Sequence, residues 1–162
     1  MPRHARCARV ATVVAGLLLA ANAFASDAVE AAESPLAAVD ALFEAMAVHD
    51  THKARQLIIP GAQFVVVRPD GTSALRDDAG FIASLAQRPE SVLRERMWNH
   101  QVLVDGSMAQ VWGPYDFHVD GTFSHCGVNS IGLVRGADGW RVAAVSYTMR
   151  KDDCGTLPVG KG

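Results

Sequence analysis

Residues 105–150 read DGSMAQVWGPYDFHVDGTFSHCGVNSIGLVRGADGWRVAAVSYTMR. Three Asp-Gly pairs, Asp105-Gly106, Asp120-Gly121 and Asp138-Gly139, separate runs rich in β-branched, aromatic and other apolar residues. Asp-Gly readily takes the positive φ angles of a tight hairpin, so the stretch reads as four consecutive antiparallel strands. The runs are about a dozen residues long, twice the common strand length of about 5 to 6. Strands of that length must bend around something, and a bent sheet makes a pocket.

Alternation assigns the faces. From Ser107 to Val119, Ala109, Val111, Tyr115 and Phe117 share the core phase, while Met108, Gln110, Trp112, Asp116 and His118 point outward. Gly113-Pro114 interrupts this strand, and because proline has no N–H to give to a ladder, a bulge or sharp bend is expected there. The next strand carries Phe123, His125, Gly127, Asn129, Ile131 and Leu133 in one phase, and the last carries Trp140, Val142, Ala144, Ser146 and Thr148. If Arg135 opposes Trp140, Asn129 opposes Ser146. A two-residue turn at Asp120-Gly121 sets His125 opposite Asp116 on the outer face. A three-residue turn with a glycine bulge sets it opposite Tyr115 and aligns Phe117 with Phe123, and is preferred because it keeps the apolar phases together.

Ahead of the ribbon, Ser34 caps a helix with Pro35 in its first turn, and Leu36, Val39, Leu42, Phe43 and Met46 recur at helical spacing to about His49. A shorter helix starts at Asp50 or Thr51, carries Ala54, Leu57 and Ile58, and ends at Pro60-Gly61. Two short strands follow around the turn Pro69-Asp70-Gly71-Thr72. A third helix, capped by Asp77 or Asp78, carries Phe81, Ile82 and Leu85 and ends at Arg88-Pro89. The order is helix, helix, strand, strand, helix and then four strands, an α+β arrangement.

Residues 1–25 stand apart. Arg3, Arg6 and Arg9 precede the apolar run VATVVAGLLLAA and the small-residue site Ala23-Phe24-Ala25, the pattern of a secretory signal peptide cleaved after Ala25. A periplasmic or secreted product follows, with no membrane association once the signal is removed. Residues 26–33 form a flexible leader, 34–150 a single domain and 151–162 a C-terminal tail. Cleavage takes Lys+Arg from 15 to 12 and leaves Asp+Glu at 17, a formal charge of −5, which argues against nucleic acid as a partner. Cys126 and Cys154 are then the remaining thiols, and an oxidising compartment favours their pairing. The rival reading is a reactive thiol at Cys126 beside His125.

The element order and the run AQVWGPYDFHVDGTFSHCGVNSIGLVRGADGWRV resemble the nuclear transport factor 2-like superfamily, in particular its SnoaL-like, ketosteroid-isomerase-like and lumazine-binding-like branches. Its recurring marks here are Phe43, His49-Asp50, Ala109, Trp112, Tyr115, Phe117, His125-Cys126-Gly127 and Gly139-Trp140-Arg141-Val142. The resemblance spans about Pro35 to Arg150. It implies a cone-like α+β barrel whose three helices pack in the concave face of a strongly bent, mostly antiparallel sheet, with an apolar pocket and a tendency to dimerise.

The chemistry is sparse. An isomerase in such a cup needs a carboxylate base in apolar surroundings and a donor for the developing enolate. Tyr115 is a candidate donor, but Asp116 points outward and Asp105, Asp120 and Asp138 sit in turns. Asp50 is the remaining acid near the cup, and it competes with its own use as a helix cap. His125 is the candidate acid or base, with a hydrogen bond to tyrosine or backbone as the alternative. His118, His125 and Cys126 disagree in phase as metal ligands, and neither a metal site nor a cofactor is expected. No phosphate-binding glycine loop, nucleophile elbow or dinucleotide fingerprint occurs.

The expected function is binding of a small apolar or aromatic molecule in a pocket of Phe43, Met46, Trp98, Tyr115, Phe117, His125, Asn129 and Ser146. The alternative is an isomerase, dehydratase or cyclase using His125, Tyr115 and Asp50. A third reading is an interaction module, with a homodimer through the outer sheet face around Trp112.

Overall fold

The structure is a computed structural model and describes residues 33–87 and 89–154. The signal segment, the leader up to residue 32 and the tail beyond Cys154 lie outside the described residues. The elements are α1 (Pro35–Ala47), α2 (Thr51–Leu57), β1 (Ile58–Val67), β2 (Ser73–Asp77), α3 (Asp78–Ala86), β3 (Leu93–Met97), β4 (Gln101–Asp105), β5 (Met108–Val119), β6 (Thr122–Gly136) and β7 (Gly139–Thr148). The strands form one unclosed sheet in the order β2-β1-β7-β6-β5-β3, with β4 also on β5. Among the described strands only β1 and β7 pair in parallel.

The caps follow the sequence. Ser34 Oγ accepts from Ala37 N at 3.1 Å with Pro35 in the first turn, Asp50 caps α2 through Lys53 N at 2.9 Å, and Asp77 caps α3 through Gly80 N at 2.8 Å. Val39, Leu42, Ile82 and Leu85 bring the helices onto Val111, Ile131, Leu133 and Val142, the buried core. α2 ends earlier than Pro60-Gly61, because Ile58 is already extended and begins β1. Gly61, at φ 82°, instead lies where the β1–β7 register shifts, between Ile58↔Val142 and Gln63↔Ala144.

The ribbon appears as expected from β4 to β7, but its registers carry irregularities that alternation did not foresee. At Asp120-Gly121 both φ angles are positive, 52° and 77°, so the turn has two residues. Val119 faces Thr122 and His118 faces Phe123; the register then shifts, and Phe117 faces His125. Ser124 is the extra residue. His125 therefore opposes neither Asp116 nor Tyr115, and Phe123 is turned to the outer face, where it is exposed. Arg135 does oppose Trp140, but a second shift pairs Leu133 with Val142 and Gly132 with Ala144, so Asn129 opposes Tyr147 rather than Ser146.

Gly113-Pro114 causes no register shift between β5 and β6. It marks a change of partner on the opposite edge of β5, where β4 covers residues 108–112 and β3 covers 115–119. Pro114 O accepts from Trp98 N at 3.2 Å on that edge, so the missing N–H points into the junction and no ladder bond is lost. The segment before Asp105 is accordingly two short strands, parted around Asn99 at φ 45°. Gly127 meets a different constraint: a Cβ there would lie 1.9 Å from Thr148 O, so only glycine admits the approach of β7.

Candidate functional site

Between the helices and the inner sheet face lies a cavity of about 300 Å³. Val39, Leu42, Phe43 and Met46 of α1 and Phe81 and Leu85 of α3 form one wall. Phe64 and Val66 of β1, Phe117 of β5, Ile131 of β6, and Val142 and Val145 of β7 form much of the other. Of the residues the sequence placed in a pocket, Phe43, Met46, Tyr115, Phe117, His125 and Asn129 line this cavity. Trp98 and Ser146 do not. Trp98 leaves the end of β3 and is exposed, and the shift near Ala143 turns Ser146 to the outer face and brings Tyr147 inward.

The acid in the cavity is Glu95. In β3 the residues alternate in burial, with Leu93, Glu95 and Met97 half-buried and Arg94 and Arg96 exposed. On the outer side Arg96 Nε donates to Asp116 Oδ1 at 2.8 Å. The same alternation turns Glu95 inward opposite Phe117, where its carboxyl meets Asn129. Asn129 is 2% exposed, and its Nδ2 donates to Glu95 Oε1 at 2.6 Å. Burial disfavours the charged carboxylate and pushes Glu95 up to about 7; Asn129 pulls the other way and the charge of Asp116 adds to the rise. Alternation in LRERM, residues 93–97, carried the signal: a glutamate in phase with Leu93 and Met97.

The other polar groups divide by commitment. Tyr115 is 1% exposed and its hydroxyl donates to Thr148 O at 2.9 Å, so its proton is engaged by backbone; burial, with Glu95 and Tyr147 nearby, raises its pKa. Tyr147 makes no hydrogen bond through its phenol among the described residues and faces the cavity with Arg76. Burial raises Tyr147, with Arg76 and Arg68 opposing and Glu95 adding to the shift. His125 stacks on Phe117 at 5.0 Å and meets Ser124 Oγ through Nδ1 at 3.0 Å. Burial first and Lys151 second lower its pKa, which favours the neutral ring.

Asp50 is exposed, acts as the α2 cap and is not part of the cavity lining. His49 adopts φ 55° and sets Nδ1 2.6 Å from Leu85 O and Nε2 2.6 Å from Ser91 O, tying the end of α1 to α3 and the segment before β3. Cys126 is fully buried and bonded to Cys154, which leaves no free thiol among the described residues. Among the described residues no three His, Cys, Asp or Glu side chains gather as a metal site, and no helix is long and apolar enough to cross a membrane.

No family profile and no curated protein matches the chain. Solved structures do. An NTF-2-like protein of unknown function from Silicibacter pomeroyi aligns at TM-score 0.56 and 18% identity, over 71% of this chain and 92% of that one. An NTF2-like protein from Cytophaga hutchinsonii gives TM-score 0.58 at 15% identity, over 71% and 94%. A candidate dehydratase of the NTF2-like family from Streptomyces avermitilis gives 0.56 at 19%, over 70% and 91%. With three helices against a mixed, mostly antiparallel, unclosed sheet, the chain has the nuclear transport factor 2-like fold.

Proposed function

We propose that the protein is exported and binds a small, mainly apolar molecule in this cavity, with one polar group of the ligand set against Glu95 and Asn129. The carrying observation is the apolar cavity of about 300 Å³ with a hydrogen-bonded carboxyl at its wall. That volume lies at the lower end of small-molecule sites, roughly 300–1,000 Å³, which combine apolar walls with a few placed polar groups. The Cys126–Cys154 bridge accords with an oxidising compartment. Native mass spectrometry of protein isolated from its own source tests the reading. A reproducible adduct, released on denaturation, is expected on a polypeptide beginning at Ser26; absence of any adduct across preparations, with no uptake of a neutral apolar fluorophore, counts against it.

Glu95 also favours a second reading, acid–base catalysis of the isomerase or dehydratase type. A carboxyl that titrates near neutrality in an apolar cavity can accept a proton from carbon or oxygen of a bound molecule and return it. Tyr147, whose phenol is uncommitted, is then a better donor to a developing oxyanion than Tyr115, and His125 remains within the same lining. Deuterium uptake from heavy water into the recovered ligand, lost in Glu95→Gln while binding persists, is the expected signature. Uptake unchanged in Glu95→Gln removes Glu95 from any reaction.

The outer sheet face is assigned to a second copy of the chain. Leu103, Met108, Trp112 and Val134 share this face through the β4–β5–β6 register and are exposed, Leu103 to 67% and Met108 to 62%. Sedimentation equilibrium at micromolar concentration is expected to give a dimer that Trp112→Arg shifts to monomer. A monomeric wild-type protein would remove this assignment.

A further inference from the structure

A second groove adjoins the cavity, because His125 lines both. Its other polar walls are Arg68, Ser124, Arg150 and Lys151, so three cations converge where the lining contains no carboxylate among the described residues. This local sign opposes the acidic balance of the whole chain. Among the described residues, none of the three cations makes an ion pair. Asp70, the acid that feels Arg68, is occupied by Thr72, whose N and Oγ1 donate to its Oδ1 at 2.9 and 2.7 Å. Asp152 and Asp153 follow Lys151 in sequence but do not line the groove.

Two features at Arg150 bear on the groove. Arg150 Nε is buried without a hydrogen-bond partner among the described residues, a donor that lacks its acceptor. Leaving such a donor unmatched is costly, and a charged acceptor is the strongest match for it. The backbone that carries Arg150 is also held firmly. Cys126 N donates to Arg150 O and Arg150 N donates to Cys126 O, each at 2.9 Å, and the disulfide to Cys154 closes over the same pair. A backbone fixed in advance leaves less freedom to lose when an anion arrives.

We infer that the ligand is a single-chain amphiphile with an anionic end, a carboxylate or comparable oxyanion, seated among Arg68, Arg150 and Lys151 while its apolar body passes His125 into the cavity. This rests on the cavity reading above for where the apolar body lies, adds the ligand's charge and orientation, and places its charged end in the groove instead of against Glu95 and Asn129. The orientation follows from the walls. An anion inside the main cavity would face the Glu95 carboxyl and mainly Phe, Leu and Val side chains, with Arg76 as the one cation in the described lining, whereas the groove offers three positive groups and the Ser124 hydroxyl. A two-chain lipid would need more apolar volume than about 300 Å³.

The test compares decanoate with decanol by calorimetric titration of the full-length mature protein. Wild type is expected to bind decanoate at least tenfold more tightly than decanol, and the decanoate-to-decanol affinity ratio is expected to fall at least tenfold in Arg68→Gln/Lys151→Gln. Arg55→Gln, on the exposed face of α2, keeps the wild-type ratio. Equal affinities in wild type, or a ratio that the double variant leaves intact, overturn the anionic end alone, since decanol binding still supports the cavity. Failure of both probes to bind overturns the two readings together. Sedimentation with phosphatidylglycerol vesicles separates the sources of the anion: retention on vesicles that the double variant abolishes would replace the soluble amphiphile by a membrane headgroup.

Discussion

At pH 8, Glu95→Gln is expected to be more stable than the wild-type protein by up to about 3 kcal/mol, and at pH 4.5 the two are expected to unfold at nearly the same denaturant concentration. The carboxyl of Glu95 moves from an ordinary value of 4.5 to about 7 on folding, because burial penalises its charged form. Below pH 4.5 the group is protonated in both folded and unfolded chains and carries no penalty. As pH rises toward 7 the unfolded chain releases its proton first, so native stability falls. Above 7 both forms are ionised and the folded protein bears the full cost. One pKa unit corresponds to about 1.4 kcal/mol, so the shift sets an upper bound of about 3 kcal/mol, reduced by any water the cavity admits. Glutamine keeps an oxygen for Asn129 Nδ2 and removes only the charge. A chemical-denaturation series from pH 4.5 to 8 reads the difference directly. A constant gap between the two proteins would sink the assignment of a buried, titrating carboxyl.

Cys154→Ala is expected to lower the unfolding free energy by roughly 3.5 kcal/mol under non-reducing conditions. The bridge joins residues 28 positions apart, a span for which the chain-entropy model gives a value between its short-loop and long-loop limits. Substituting Cys154 rather than Cys126 isolates the cross-link, because Cys126 is fully buried on β6 and its removal would add a packing loss. Adding reductant to the wild-type protein is expected to reproduce the change, while the variant is insensitive to it. A variant within about 1 kcal/mol of wild type would mean that the bridge hardly constrains the unfolded chain.

The positions of the Asp-Gly turns were legible because their chemistry is local: a positive φ at Asp120 and at Gly121 is a property of those residues, although the three-residue turn preferred there is a two-residue one. The caps at Ser34, Asp50 and Asp77 were readable for the same reason. What alternation could not supply was the extra residue at Ser124 and the second shift near Ala143, since a bulge is set by how two strands meet and not by either strand alone. Those two residues decide that His125 stacks on Phe117 and that Tyr147, not Ser146, reaches the cavity. Glu95 lay within reach of the same method, because its phase matches Leu93 and Met97. Its importance depended on β3 and β4 dividing one edge of β5 at Gly113-Pro114, a tertiary arrangement.

Because β1 pairs in parallel with β7, the chain joins residues such as Ile58 and Val142, 84 positions apart, whereas β5, β6 and β7 meet across short hairpins. Loop-closure entropy grows with the length of chain enclosed, so the hairpin meander can assemble before the parallel seam closes. Phe64 and Val66 of β1 belong to the cavity wall. The cavity is therefore complete only once the most distant pairing among these strands has formed, and a molecule bound against the whole wall would draw the equilibrium toward the fully closed chain, not toward a half-assembled sheet.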